Sequence, residues 1–445
     1  MYSVGIITLG CSRNLLDSEI ILGSLKRSGF KIVNVEDGAD VCIVNTCAFV
    51  KDAREESMDV ILDAVQLKKE GKVKHLVVCG CLSQLYKEKV AEGPLREVDL
   101  VLGTNDFPKI SLFLKTLKKG DNRTAVSTRL NYLYDENSPR FLLTPRHYAY
   151  VKVSEGCSNF CSYCIISHLR GNFRSRSIES IIEEVNKLSK TGALKEINLI
   201  GQDTTSFGID RYGKIVFPEL LRKLCRLKNS VRWIRILYTH PAHYTDELIR
   251  AIRDEDKICK YLDLPIQHIS DRILKRMDRH TTKIDIMALV EKLRKNIPNI
   301  VLRTSIIVGF PGESDRDFGE LLEFLRQTRF DRLGAFLYSR EKLTKASEFS
   351  GQIPEGVKKA RYDELMKLQQ QISSEINRSF LGREMDILID EKVEGERDKF
   401  LGRTQGDAPE VDGGVYLTGN GLKIGEFCLA KIVDTLEYDL VGEAA

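Results

Sequence analysis

The sequence predicts an α/β protein in three parts: an amino-terminal parallel-sheet domain, a larger βα barrel, full or partial, and a small all-β barrel at the carboxyl end. Three observations carry this expectation. Apolar strand-like runs alternate with helical patterns over the first 110 residues, and again from about His147 to Phe336. Beyond about Arg378, short apolar runs stand between glycine-rich turns, the pattern of a small closed barrel. The chain of 445 residues also exceeds what one compact core holds.

The first part offers three strand candidates, Val4–Leu9, Val41–Val44 and Leu76–Val78, each followed by a helical pattern such as Leu15–Arg27 or Ala53–Lys68. Such alternation predicts a parallel, Rossmann-like sheet. Residues 119–140 are polar and contain Gly, Asn, Ser and Pro, so they read as a linker. The second part has six strand candidates: Tyr148–Val153, Glu196–Ile200, Trp233–Leu237, Tyr261–Leu264, Val301–Val308 and Arg332–Phe336. Helical segments including Ser177–Lys190, Thr245–Asp254 and Asp315–Thr328 separate them, as in a TIM-type barrel. A charged helix, Pro354–Asn377, leads out. Met385–Ile389, Val415–Leu417 and Phe427–Val433 are the strand candidates of the last part. The expected domains are therefore 1–140, 141–377 and 378–445.

No run of 18 apolar residues occurs, so no membrane span is expected. The opening MYSVGIITLG lacks a basic region and a cleavage site and reads as a buried strand, which predicts a cytoplasmic protein. Eleven cysteines in a reducing compartment point to metal binding or catalysis rather than disulfides. Charge is uneven. Residues 141–377 carry 40 Lys and Arg against 30 Asp and Glu, whereas residues 378–445 carry 8 against 15. A basic middle and an acidic tail need not share a partner.

The segment EGCSNFCSYCIISHLRGNFRSR holds Cys157, Cys161 and Cys164 in CxxxCxxC spacing. Three thiolates in a short loop after a strand can hold a 4Fe–4S cluster and leave one iron without a protein ligand. The amino and carboxylate groups of S-adenosylmethionine suit that open iron. A zinc site completed by His168 is the competing reading, but zinc loops use paired CxxC units and no second pair lies nearby.

This loop, with the aromatic Tyr163 between its last two cysteines, resembles the cluster loop of the radical S-adenosylmethionine superfamily. The following LRG resembles its methylthiotransferase branch, although Ser167-His168 departs from the proline usual there. INLIGQDTTSFG, LDLPIQHISDRILKRMDR and LRTSIIVGFPGESDRDF resemble further segments of that branch. The resemblance implies Gln202 and Asp203 near the S-adenosylmethionine amino group, Asp263, Pro265 and Gln267 at a strand's end, and Gly309, Pro311 and Gly312 where backbone approaches the adenine. Taken singly, each of these would be a turn residue or a satisfied polar group; their order and spacing carry the likeness.

Cys11, Cys47 and Cys81 follow three successive strand candidates. Parallel strands end on one edge of their sheet, so these thiols should converge. Cys42, Cys225, Cys259 and Cys428 read as ordinary core residues. Cys79 shares a strand face with Cys81 and is the alternative ligand; Cys81 is preferred because it follows Gly80 at the strand's end. GCSRNLLDSE, VNTCAFV and GCLSQ resemble the amino-terminal domain of methylthiotransferases, which implies that Cys11, Cys47 and Cys81 bind an auxiliary 4Fe–4S cluster. Asn14 and Asp17 would then support that cluster or the substrate, or cap the following helix.

The resemblance implies a reaction in which S-adenosylmethionine serves both as methyl donor and as radical source, so the two cluster-bearing sheet edges should face each other. The family divides between tRNA adenosine and a ribosomal protein. GCSRNLLDSE and DAPEVDGGVYL (residues 407–417) resemble the ribosomal-protein branch, and the tail resembles a TRAM domain, an OB-like barrel. An acidic tail is a poor surface for phosphates and a good one for a basic protein. The implied activity is methylthiolation of the β-carbon of an aspartate in small-subunit ribosomal protein twelve. That protein would be captured through the acidic carboxy-terminal domain, with an electron donor such as flavodoxin, by a monomer without membrane contact. A tRNA adenosine methylthiotransferase is the alternative, and a zinc-bearing RNA-binding module the second. Phe336–Ser339 fits a late family segment, while Arg340–Thr344 departs from it.

Overall fold

The computed structural model describes residues 2–118 and 120–444. The chain divides into two compact units: residues 1–143, 152–160 and 164–184 form the first, and residues 144–151, 161–163 and 185–445 the second. Among the described residues no helix is long and apolar enough to cross a membrane.

The first unit is built on a parallel sheet of β1 (Ser3–Thr8), β2 (Lys31–Ile32), β3 (Val41–Thr46), β4 (His75–Gly80), β5 (Leu100–Leu102) and β6 (Arg123–Ala125). Their order is β2-β1-β3-β4-β5-β6. The chain reverses its winding direction between β1 and β3, and in open parallel sheets that reversal leaves a crevice at the strands' carboxyl ends. Strands β3 and β4 are buried throughout, which explains their unbroken apolar sequences.

Helices cover both faces. On one, α1 (Ser12–Arg27) and α4 (Ile110–Thr116) contribute Ile21, Leu25, Ile110 and Leu114 to a core with Val4, Ile43 and Val77. On the other, α2 (Lys51–Lys69), α3 (Cys81–Tyr86) and α5 (Ile166–Arg170) bring Ile61, Val65, Leu82 and Leu169 against Val44, Leu76 and Val78. Each fully buried aliphatic side chain contributes about 1.5–3 kcal/mol. Helix α5 thus packs on the amino-terminal sheet although it follows the CxxxCxxC loop in sequence.

The expected linker is not one. Within 119–140 the chain forms strand β6, and Tyr134 is buried with its hydroxyl 3.2 Å from Glu184 Oε2. Arg140 pairs with Glu19 and, at 2.7 Å, with Glu184. Lys119 lies outside the described residues. A short antiparallel pair, β8 (Ser154–Glu155) with β9 (Arg174–Ser175), flanks the cluster loop.

The second unit holds a six-stranded sheet of β7 (Tyr148–Lys152), β10 (Glu196–Ile200), β11 (Trp233–Ile236), β12 (Ile258–Asp263), β13 (Val301–Val308) and β14 (Arg332–Leu337), neighbours in that order. It is therefore a partial barrel. Strand β13 alternates strictly, with Leu302, Thr304, Ile306 and Val308 buried and Arg303, Ser305 and Ile307 half-buried. The second set faces the barrel interior, beside Asp263 and Arg332 in register.

The carboxy-terminal part is a closed five-stranded barrel: β15 (Glu384–Lys392), β16 (Lys399–Arg403), β17 (Val415–Thr418), β18 (Phe427–Thr435) and β19 (Leu440–Ala444). Strands β16 and β19 had no sequence expectation, because KFLGR and LVGEA carry glycine and charge and show little alternation.

The loop after β16 enters the base of the larger barrel. Asp407 pairs with Arg332 at 2.8 Å, and Asp412 with Arg303 at 3.2 Å and with the Tyr261 hydroxyl at 2.6 Å. Arg403 joins Glu196 at 2.8 Å and Asp390 at 2.6 Å. Two acids of the tail, Asp407 and Asp412, are thereby engaged with cations of the larger barrel. The solvent-facing acidic excess of this part is smaller than its sequence suggests. A cavity of about 810 Å³ lies at the amino ends of the larger barrel's strands, lined by Arg232, Lys260, Arg383 and Asp386 among others. None of its lining residues is a cysteine.

Candidate active site

Register brings the ends of β1, β3 and β4 together. Thr8 pairs with Asn45, and Asn45 with Cys79. Cys11, Cys47 and Cys81 lie two or three residues beyond that line, on adjacent strands about 4.8 Å apart. The crevice of the winding reversal opens there. Gly10 has φ +88°, and a Cβ on it would stand 2.7 Å from Cys47 Cβ and 2.9 Å from its Sγ. Gly80 has φ +99°, and its Cβ would collide with Asn45 Oδ1 at 2.4 Å. Both glycines let cysteine-bearing turns close on one another.

Gly80 also separates the two candidate cysteines of β4. The turn it makes places Cys81 as the first residue of α3, in the core beside Leu76 and Val78. Cys79 belongs to the opposite core, beside Ile43, Val77 and Leu102. The shared strand face expected from their spacing does not persist through the turn. Burial drives the Cys79 thiol far up. Cys42 is likewise enclosed in core, pushed up to about 12.

Asn14 ties this end of the sheet together. Its Nδ2 donates to the carbonyls of Leu9 and Thr46 at 2.9 Å each. Its Oδ1 accepts from Arg170 Nη2 at 2.7 Å and lies 3.7 Å from Cys81 Sγ. Neither Asn14 nor Asp17 caps α1. Cys11 holds that position without a side-chain cap, and Asp17 pairs with Arg170 at 2.5 Å and Lys152 at 2.8 Å. Lys152 reaches Glu155 at 2.7 Å, closing a buried group of two cations and two anions.

Cationic donors stand beside the sulfurs. Arg13 Nε donates to Cys11 Sγ at 3.4 Å, and Arg170 Nη2 to Cys81 Sγ at 3.4 Å. Burial raises the Cys11 thiol, but Arg13 outweighs it and holds the group down to about 7. Burial, aided by Cys81, pushes Cys47 up to about 12. Cys81 is also raised by burial, with Arg170 opposing.

In the second loop, Cys157 N donates to the Gly171 carbonyl at 3.1 Å. Ser162 is held by the Met277 and Ala346 backbone and by the Arg276 carbonyl at 2.7 Å. Arg279 Nη1 points at Cys161 Sγ at 3.9 Å, and its Nη2 donates to the Pro265 carbonyl at 2.6 Å. The Tyr163 ring meets Phe310 edge-on at 6.5 Å. His168, the donor a zinc site would need, is exposed on α5.

Arg170 and Arg279 were present in the motifs LRG and LKRMDR, yet their partners were not inferable. Among the described residues no three His, Cys, Asp or Glu side chains are already gathered at metal-binding distance. The fit to iron–sulfur clusters rests on donor type, strand-end position and the guanidinium groups facing sulfur.

The other expected cofactor residues occupy the carboxyl ends of the larger barrel. Gln202 is half-buried after β10. The Asp203 carboxylate accepts from Thr205 Oγ1 at 2.6 Å and Ser206 Oγ at 2.8 Å, and stands 2.8 Å from His243 Nδ1. Its oxygens are thus engaged in shaping their own loop. Burial opposes the Asp203 charge, but the His243 hydrogen bond prevails and keeps its carboxyl well below the ordinary range. His240 stacks on His243 at 4.7 Å, and burial, then the Arg279 charge, keep it neutral.

Gln267 adopts φ +70° and bridges β13, donating to the Ser305 carbonyl and accepting from Ile307 N at 2.9 Å each. A Cβ on Gly309 would fall 2.3 Å from Lys358 Cγ, so the close approach made there is to a side chain of this protein. The Pro311 carbonyl accepts from Arg276 Nε at 3.2 Å.

Three stretches of the chain match known protein families. Residues 151–325 match the Radical SAM superfamily, residues 3–103 the uncharacterized protein family UPF0004, and residues 381–445 the TRAM domain. Among solved structures, the radical S-adenosylmethionine methyltransferase TsrM of Kitasatospora setae shares the fold, with TM-score 0.53 at 13% identity over 77% of this chain and 73% of that one.

Relatives named "Ribosomal protein uS12 methylthiotransferase RimO" are far closer in sequence. That of Clostridium perfringens (strain SM101) is 47% identical over 99% of this chain and 98% of its own length. That of Clostridioides difficile is 45% identical over 100% and 99%. Identity at this level along the entire length of both chains means that the protein belongs to the RimO family of methylthiotransferases, within the radical SAM superfamily.

Proposed function

We propose that the protein methylthiolates the β-carbon of an aspartate in ribosomal protein uS12, using one 4Fe–4S cluster on Cys157, Cys161 and Cys164 with S-adenosylmethionine, and a second on Cys11, Cys47 and Cys81. As a family member it is a radical S-adenosylmethionine transferase. The observation that carries the finer reading is the placing of Cys11, Cys47 and Cys81 at the ends of three adjacent strands, where the sheet's winding reverses.

When bound, the first cluster supplies one electron for homolytic cleavage of S-adenosylmethionine, which gives the oxidising power needed to remove hydrogen from an unactivated carbon. The chain's own residues bind and orient. Each set of three thiolates would hold one cluster. Arg279, Arg170 and Arg13 set positive charge beside the sulfurs. Asp203, His243 and Ser206 lock the loop after β10, while Gln267 fixes the loop after β12 against β13. Cys11, Cys47 and Cys81 would hold a second cluster, which would supply the sulfur.

Choice of uS12 follows the relatives' activity and the DAPEVDGG segment. The internal pairing of Asp407 and Asp412 gives that segment a second role, in closing the larger barrel. Mass spectrometry tests the proposal. The reconstituted enzyme, given S-adenosylmethionine, a reductant, a sulfide source and either uS12 or tRNA, should add a methylthio group to one aspartate of uS12. A gain on the nucleoside alone would sink the reading in favour of the tRNA branch.

A further inference from the structure

We infer that Arg170 is a positioning residue for the amino-terminal cluster: it holds the Cys81 sulfur by an N–H···S hydrogen bond and so raises that cluster's midpoint potential. The inference rests on the assignment of Cys11, Cys47 and Cys81 as ligands and goes beyond it, since it names the group that sets the cluster's electronic state.

The geometry is specific. Arg170 is 4% exposed, so its guanidinium acts at low dielectric. One nitrogen, Nη1, is held by Asp17 at 2.5 Å, with Glu155 3.7 Å away. The other, Nη2, is divided between Asn14 Oδ1 at 2.7 Å and Cys81 Sγ at 3.4 Å. The planar fork cannot turn away from the sulfur without giving up Asp17. Burial opposes this charge, and Asp17, Cys81 and Glu155 together hold it in place.

A charged donor on a ligand sulfur withdraws electron density from the metal and favours the reduced cluster. Asp17 and Lys152 belong to the same ion-pair group, but their bonds run to each other, to Arg170 and to Glu155, not to sulfur. Arg170 thus donates to the sulfur, whereas Asp17 reaches it through charge of the opposite sign. Arg170 also links two sequence regions: it lies six residues beyond Cys164, the last cysteine of the other cluster loop.

The test uses the full chain with Cys157, Cys161 and Cys164 all replaced by Ala, so that one cluster at most can form. Iron and sulfide analysis should give about four of each per chain. A chain holding neither overturns the ligand assignment and this inference with it.

With the cluster present, its midpoint potential is read by redox titration under electron paramagnetic resonance. Arg170→Gln should give a more negative potential and altered g-values, Arg170→Lys a smaller change, and Asp17→Asn, which removes a buried anion, a shift of the opposite sign. An unchanged potential in Arg170→Gln, or an equally negative shift in Asp17→Asn, would overturn the role of Arg170. Should Arg170→Gln alone fail to fold, Arg170→Gln with Asp17→Asn restores charge balance. That double variant should have a lower potential than Asp17→Asn alone, and equal potentials in the two would refute the inference.

Discussion

Arg303, inside the larger barrel, is held by two carboxylates through different nitrogens: Nη1 by Asp263 of β12 at 2.9 Å and Nε by Asp412 of the carboxy-terminal part at 3.2 Å. The chain of contacts continues. Asp263 Oδ2 accepts from Tyr238 N at 3.0 Å, and the Asp263 carbonyl from Thr239 N at 3.1 Å. His240 N then donates to Thr205 Oγ1 at 3.0 Å, within the Asp203 loop. The carboxy-terminal part is thereby joined to the strand ends of the larger barrel. Asp412→Ala would leave a buried guanidinium with one partner and Tyr261 without its acceptor, a cost of about 3 kcal/mol. A lowered melting temperature should be seen. Truncation after residue 377 should be worse, since Arg303, Arg332 and Glu196 all lose partners. A truncated chain that melts and cleaves S-adenosylmethionine like the full one would refute this account.

Asp203 organises its loop through His243, Thr205 and Ser206, so its charge should matter for cofactor affinity more than for overall stability. Asp203→Asn is expected to raise the KM for S-adenosylmethionine roughly tenfold, the scale of one charged hydrogen bond. The pH dependence follows from its lowered carboxyl. Its contribution to stability is complete above the ordinary value of 3.8 and is lost as pH falls through the folded-state value below that. Melting curves of the parent and Asp203→Asn should therefore converge in acid. Parallel curves down to pH 2 would contradict the assignment.

Much of the architecture was legible because it is local. Strand–helix alternation gave both parallel sheets, and cysteine spacing gave both candidate loops. What escaped was the partner of each buried charge. Asp17 and Arg170 are 153 residues apart, and Arg332 and Asp407 are 75 apart. No periodicity encodes such pairs. For the same reason the acidic tail read as a docking surface, when part of its charge neutralises the inside of a barrel. Residues 119–140 misled by composition: Tyr134 is buried there through pairing with Glu184, which polarity alone hides. The alternation rule itself failed at Cys79 and Cys81, because Gly80 turns the chain between them.

Cys11 should be the reactive thiol of the amino-terminal set in cluster-free protein. Burial opposes its ionisation, but Arg13 brings it from 9.0 down to about 7, whereas Cys47 stands at about 12. A folded-state value below the unfolded one means that the thiolate stabilises the fold fully above pH 9 and ceases to do so as pH falls through about 7. Iodoacetamide labelling followed by peptide mapping should show Cys11 alkylation rising with a midpoint near pH 7. Arg13→Ala should move that midpoint upward. Equal labelling of Cys11 and Cys47 at neutral pH would contradict the electrostatic argument.

The two cysteines of β4 offer the cleanest separation of ligand from core. Cys79 is fully enclosed among Ile43, Val77 and Leu102, so Cys79→Ser places a hydroxyl in apolar packing and should cost about 1–3 kcal/mol. Iron content and methylthio transfer should survive. Cys81→Ser, whose hydroxyl would meet Asn14 and Arg170, should cost less stability than Cys79→Ser in the cluster-free chain but halve the iron content. Cys47→Ala should do the same while sparing S-adenosylmethionine cleavage, which Cys161→Ala should abolish. The pattern matters more than any one value, because cleavage and transfer are predicted to depend on different cysteines. Transfer retained in Cys81→Ser and lost in Cys79→Ser would make Cys79 the ligand, and would require Gly80 to turn the chain differently once iron is bound.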